Sequence, residues 1–478
     1  MQRRIGRIGI LAALVFARNT MLAQAARISV GPNVHVSANR AASPYNEVVI
    51  GAHPSDPRRL IVCSMLEPGA DRRVKSAAWI SSDAGRTWSS PLVTSQHWAN
   101  DPTCVWGKDG TAYFVHKTNL GHPTPAEAWN SDFDFLGIER LPNGARSWLP
   151  MIRGPQTNDR PFVAVDHERN ALYVAYNGHL HGEENRHDNQ HFRNTVALMR
   201  SDDGGVHFTP PAQRALMDQT EDAGSNAGMD GVVVMPDGSI VVLYTHMTLG
   251  APRAQGAPGK PTVIKSALML VRSVDRGVTL EPALHVADVV SGYNLPYARG
   301  ITGTIAVDTS RGPHRGRLYV AWADFSTRRG QILVRYSDDA GKTWSAARAA
   351  NDDSSRSLPN GGPDHSMATI AVGPTGVVGV MWYDRRDFPN HDGYTPRFAA
   401  SLDGGQTFTP SIVISTAPNA RAAQRGPDYL PNGGDTAGLT AAADGRFHAV
   451  WIDNRTGTQQ VWTAPITLEA PARTQDRH

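Results

Sequence analysis

The chain of 478 residues contains only 2 cysteines, Cys63 and Cys104, so it is not a small disulfide scaffold. The pair reads either as one disulfide in an oxidising compartment or as two buried free thiols. Beyond the amino terminus no stretch is long and apolar enough to span a bilayer. No Cys follows the amino-terminal segment to carry a lipid anchor. Charge is almost balanced, with Lys+Arg 47 against Asp+Glu 44, and it forms neither a basic block nor a long acidic run. That balance argues against nucleic acid as a partner. His179, His181, His187 and His191, with Glu183, Glu184 and Asp188, fit no tight metal-ligand spacing and read as the solvated wall of a long loop. No metal site and no cofactor are expected.

What the sequence does have is turns. Gly 45 and Pro 33 suit many short strands joined by tight connections. Residues 1 to about 26 have a basic start (Arg3, Arg4, Arg7), an apolar run from Ile8 to Ala17, and Ala23-Gln24-Ala25 as a cleavage site. This pattern predicts a signal peptide and a periplasmic or secreted mature protein.

The octet Ser337-Asp338-Asp339-Ala340-Gly341-Lys342-Thr343-Trp344 predicts a hairpin tip. Its Asp folds back onto main-chain N–H groups, its Gly supplies a conformation a Cβ would resist, and its aromatic re-enters a strand. Copies begin at Ser81, Ser201, Ser273 and Ser401, the copy at 201 lacking the Thr and that at 273 the aromatic. From Ser201 onward they lie roughly 65–70 residues apart, and the gap from Ser81 is close to two periods, the mark of a repeated supersecondary unit.

Between the tips runs a second repeat: a polar cluster, an apolar strand, a turn with Asp, Pro or Gly, and a second strand ending in a polar residue. It occurs seven times, beginning near Asn46, Asn100, Asn158, Met229, Arg299, Asp364 and Gly434. Nearly continuous apolar runs of this kind suit strands buried on both faces. The expected fold is all-β, a seven-bladed propeller of four-stranded antiparallel blades over residues 27–468, with a disordered tail at 469–478. Blade two has only a decayed tip at Pro142–Trp148. Blade seven lacks a fourth strand, and the segment Arg27–Val36 is expected to supply it and close the ring.

On these octets the chain resembles the Asp-box (bacterial neuraminidase repeat) proteins, the superfamily that includes the sialidases. The resemblance implies that the Asp-box tips are structural and lie on the face opposite the functional one. That second face is then built from residues entering each innermost strand and leaving each second strand. Entering positions offer Tyr45, Glu47, His97, Asp101, Asp159, Arg160, Asp222, Asp230, Tyr297, Arg299, Asp364, His365, Asp428, Tyr429 and Asp435. Leaving positions offer His116, Asn177, His246, Asp324, Asp384 and Asp453. The resemblance implies a sialidase-like glycoside hydrolase acting on glycans with a terminal acidic sugar. Asp384, Tyr297 and His365 would then be catalytic, and Arg160, Arg299, Arg385, Asp159, His116 and His246 would bind substrate. A polysaccharide lyase acting on uronates and a non-catalytic glycan- or protein-binding propeller remain open. The Phe/Tyr-Arg-Ile-Pro tetrapeptide of six-bladed sialidases is absent. Trp322-Ala323-Asp324, Trp382-Tyr383-Asp384 and Trp451-Ile452-Asp453 share a W-x-D pattern with an Arg following, which also reads as a recurring turn lock. The partner is expected to be carbohydrate and the protein a monomer.

Overall fold

The computed structural model describes residues 27–67, 74–95, 98–119, 134–157, 159–179, 194–215, 225–249, 263–292, 295, 301–327, 329–353, 364–388, 390–420 and 433–469. The segment expected to be a signal peptide, the tail after 469, His97, Asp222, Tyr297, Arg299, Asp428, Tyr429 and the histidines at 181, 187 and 191 lie outside them. The described residues form seven antiparallel sheets, each with four strands on its main path. Blades one to six take consecutive strands in chain order. Blade seven is made of Gly438–Ala441, Phe447–Asp453 and Gln460–Glu469, and its fourth strand is Arg27–Val30. Arg27 pairs with Glu469 and Val30 with Ile466, and Val34–His35 adds to the same strand. The ring is therefore closed as the sequence implies, without an unpaired edge at its seam. Among the described residues no helix is long and apolar enough to cross a membrane.

Seven apolar clusters hold the blades together, one at each interface between neighbours. At the first, Ile61, Cys63 and Ala78 of blade one meet Cys104, Trp106 and Phe114 of blade two. A disulfide crosses this interface, with the Cys63 and Cys104 Cα atoms 6.2 Å apart and a sequence separation of 41. Closing a loop of that length removes chain entropy from the unfolded state, which amounts to about 4 kcal/mol in the loop-entropy account. Replacing both cysteines by serine should lower the urea midpoint accordingly. An unchanged midpoint would show that the cross-link does not stabilise the fold.

The Asp-box tips explain themselves locally. Asp275 accepts from the Val278 and Thr279 N–H groups and from the Thr279 hydroxyl, while the Ser273 hydroxyl takes the Gly277 N–H. The Thr279 hydrogen bonds lead in holding the Asp275 carboxyl at about 2. Asp83, Asp203, Asp339 and Asp403 make corresponding bonds. Gly341 sits at φ +91, and a Cβ there would lie 2.5 Å from Leu270 of the preceding blade.

The residue that follows each tip also reaches backward. Trp88, Phe208, Leu280, Trp344 and Phe408 each pack into the interface between their own blade and the one before it. Trp148, in the decayed tip of blade two, does the same. That tip has lost its Asp but kept its staple. A tip side chain thus joins neighbours at six of the seven interfaces, an aromatic at five of them and Leu280 at the sixth.

Candidate functional site

The starts of the innermost strands and the ends of the second strands lie together at one end of the ring. Five innermost strands carry an irregularity there, between Asn46 and Val48, Asn100 and Thr103, Asp159 and Phe162, Met229 and Gly231, and Ser366 and Thr369. A bulge breaks the two-residue alternation and re-aims a side chain. Glu47 and Asp101 adopt φ 51 and φ 50 at these points. Blade seven approaches by another device. Gly433 and Gly434 have positive φ, the Gly433 carbonyl accepts the Glu47 N–H at 3.0 Å, and a Cβ on Gly434 would lie 2.4 Å from the Glu47 nitrogen.

The result is a charged cluster contributed by several blades. The Arg160 Nη2 atom lies 3.4 Å from Glu47 Oε2, from Asp101 Oδ1 and from Asp435 Oδ2. Lys117 stands 3.8 Å from Asp101 and 3.5 Å from Asp134, which also accepts from Asn119 at 3.1 Å. Asp159, exposed, accepts the Arg160 N–H at 3.0 Å. Asp230 links blades four and five, accepting from the Thr245 hydroxyl at 2.5 Å and from the Thr302 and Gly303 N–H groups. The Ile301 N–H reaches the Asp435 carbonyl at 3.0 Å, so blades five and seven also meet here.

Burial sets the protonation of this cluster. Glu47 is held well above the usual carboxyl range, chiefly by burial and further by Asp101 and Asp435, with Arg160 opposing. Its carboxyl hydrogen-bonds to Asp101. Burial disfavours the charge on Arg160 and Lys117, but the surrounding carboxylates outweigh it and keep both protonated. Asp134 is raised by burial against the pull of Lys117. The site thus holds a carboxyl, Glu47, pushed well above the ordinary range beside other carboxyl groups, an arrangement suited to acid–base chemistry.

Asp230 is raised by burial from 3.8 to about 7, against its hydrogen bonds and Arg160. A carboxyl raised on folding binds a proton that the unfolded chain has released, so its contribution to stability is full at low pH. That contribution is lost as pH rises from about 4 to about 7. Glu47 acts in the same sense. Asp230→Asn is expected to flatten this part of the stability–pH curve, measured by urea unfolding at successive pH values. An unaltered slope would place the proton elsewhere.

The residues singled out from sequence separate into groups. Arg160 and Asp159 belong to the cluster. Tyr297 and Arg299 lie outside the described residues. His116 is buried in blade two, beside Phe114 and 3.7 Å from Glu139. His246 pairs in register with Ala227 and Ala267. His365, fully buried, holds Asp353 at 2.9 Å and Asp384 at 3.5 Å. Arg385 donates to the Ser366 hydroxyl at 2.7 Å and lies over the Tyr394 ring. Asp384 accepts from Trp382 Nε1 at 2.9 Å and from the Arg386 guanidinium at 2.8 Å. Asp453 repeats this with Trp451 and Arg455. In blades six and seven the W-x-D pattern is thus a turn lock.

Glu47, Asp101, Asp230 and Asp435 stand among the polar residues entering the innermost strands, but nothing in the sequence separates them from their neighbours there. Lys117 is missed because it is one residue past His116. On a strand that step reverses the face. Among the described residues no group of three or more His, Cys, Asp or Glu side chains is arranged to hold a metal ion.

Residues 335–346 match the BNR/Asp-box repeat family. No curated protein matches the chain. Similar solved structures include a protein of unknown function from Dyadobacter fermentans, with 12% identity over 92% of this chain and 99% of that one and a TM-score of 0.47. A Hadza microbial sialidase shows 13% identity over 93% of each chain and a TM-score of 0.44. An ulvan lyase of a polysaccharide lyase family shows 12% identity over 90% of this chain and 95% of that one, with a TM-score of 0.46.

Proposed function

We propose that this Asp-box (BNR-repeat) β-propeller is a carbohydrate-active enzyme that hydrolyses glycosidic bonds at the cluster around Arg160. The observation that carries this reading is one guanidinium 3.4 Å from each of three carboxyl groups, one of which, Glu47, is raised by burial well above the usual carboxyl range. Glycoside hydrolysis needs a carboxylic acid to protonate the leaving oxygen and a carboxylate to act as nucleophile or base. Glu47, hydrogen-bonded to Asp101, is the acid. Asp435 and Asp159, the members most open to solvent, are the carboxylates placed to face a sugar or a water. Arg160 has a positioning role, holding the carboxylates in register and limiting their mutual repulsion.

In a sialidase of the kind the sequence suggests, several guanidiniums would take the carboxylate of a terminal acidic sugar. Here Arg160 supports that specificity only if it turns from its three carboxyl partners toward the substrate. Lys117, the lysine of the cluster, is kept protonated by Asp101, Asp134 and Asp159 and so does not supply the base that a lyase would need. The hydrolase reading is therefore the one retained.

The test is to incubate the purified protein with a panel of neutral, amino-sugar, sialylated and uronate-containing glycans. Release of reducing ends is followed beside the absorbance of unsaturated uronates. Reducing ends without that absorbance are expected. Absorbance would assign a lyase, and binding without cleavage would leave a glycan-binding propeller.

A further inference from the structure

We infer that the sugar recognised at this site carries a positive charge, as the primary ammonium of an amino sugar does, rather than a carboxylate. This rests on the hydrolase reading and names its substrate class.

The argument is one of charge already committed. Among the described residues, Glu47, Asp101, Asp134, Asp159, Asp230 and Asp435 gather around two cations, Arg160 and Lys117. With Glu47 neutral, carboxyl groups still outnumber cations. Exposure is also uneven: the Asp435 side chain is 21% exposed against 10% for Arg160, and Asp159 is exposed outright. An arriving sugar therefore meets carboxylates before it meets a guanidinium. Glu47 Oε2 supplies a separate indication. It is buried, faces Arg160, and accepts no hydrogen bond. An N–H donor of the substrate would satisfy it, whereas a second carboxylate would not.

Three further described arginines at this end of the ring are paired too. Arg329 is held by Asp353, Arg386 by Asp384 and Asp352, and Arg455 by Asp453. Recognition of a sugar carboxylate uses a guanidinium with both N–H groups turned outward. Among the described residues these four arginines each face a protein carboxylate instead. At a poorly solvated site, adding another negative charge beside several carboxylates is unfavourable, while an ammonium gains from them.

The full-length Glu47→Gln protein, whose glutamine is neutral like the protonated acid, is titrated calorimetrically with four probes. These are an oligomer of glucosamine, its fully N-acetylated counterpart of equal length, sialyllactose and tetralysine. The two glucosamine oligomers differ in charge at otherwise matched size. The charged oligomer is expected to bind at least about tenfold more tightly than the acetylated one, and to weaken as salt is added. Asp435→Asn in the same background should remove most of that difference. Equal affinity for the two oligomers, sialyllactose binding as tightly as the charged oligomer, or tetralysine binding more tightly would each overturn the inference. Because binding is read without turnover, this outcome is separate from the hydrolase reading, which fails if the wild type cleaves nothing.

Discussion

Replacing Glu47 by Gln should reduce turnover about 10²- to 10⁴-fold while leaving the fold intact, the usual range for loss of a general acid. The reasoning is local. Glu47 sits at a bulge with φ 51, its carboxyl is 6% exposed, and its neighbours Asp101 and Asp435 make ionisation costly. Glutamine keeps the size and the neutral charge but has no proton to give to a leaving oxygen. The loss should therefore fall on kcat, with little change in the far-ultraviolet circular dichroism spectrum. Substrates with an activated leaving group, which need less protonation, should recover much of the rate. In the wild type, activity should decline on the alkaline side as the raised Glu47 carboxyl ionises. Full activity of Glu47→Gln on an unactivated glycoside would remove Glu47 from the mechanism.

Arg160→Met carries the second large effect, on stability. Methionine fills much of the same volume, so the change isolates the charge. Glu47, Asp101 and Asp435 would face one another without their shared counter-ion in a site that water reaches poorly. Breaking a buried ion pair by removing one partner typically costs about 3–5 kcal/mol, because the remaining charge is uncompensated. The sign of the pH dependence follows. Without the cation the three carboxyls bind protons more readily in the folded state than in the unfolded chain. The variant should thus regain stability relative to wild type as pH falls, measured by urea unfolding at neutral and mildly acidic pH. Equal stability at neutral pH, or a deficit that acid does not reduce, would show that Arg160 does not neutralise the cluster.

The fold was readable because its signals are periodic and local. The octet around Asp339 repeats its own hydrogen bonds wherever it occurs, and the apolar strand pairs between tips number seven. The missing strand of blade seven pointed to Arg27–Val36 as donor by elimination. The site was legible only in outline. The polar residues entering each innermost strand included Glu47, Asp101, Arg160, Asp230 and Asp435, but strand alternation does not say which of them turn to the axis once a bulge intervenes. Blade six follows its W-x-D pattern with two arginines where blade seven has one at the matching place. In the structure Arg386 completes the same Asp lock as Arg455, and Arg385 reaches Ser366. His116 and Lys117 show the limit most plainly. They adjoin in sequence, yet one is buried beside Glu139 of its own blade and the other faces Asp101 and Asp134.

The seam in blade seven bears on how the molecule comes into being. Arg27 and Glu469 are register partners although almost the whole chain separates them, so the pairing that joins the ring has very high contact order. During synthesis from the amino terminus, Arg27–Val30 is made first and waits for Gln460–Glu469, made last. Until then the strand is an unpaired edge and blade one lacks the neighbour that its Trp88 packs against. Six interfaces can form progressively, blade upon blade. The seventh cannot, and closing it is a single late event that turns a curved stack into a ring.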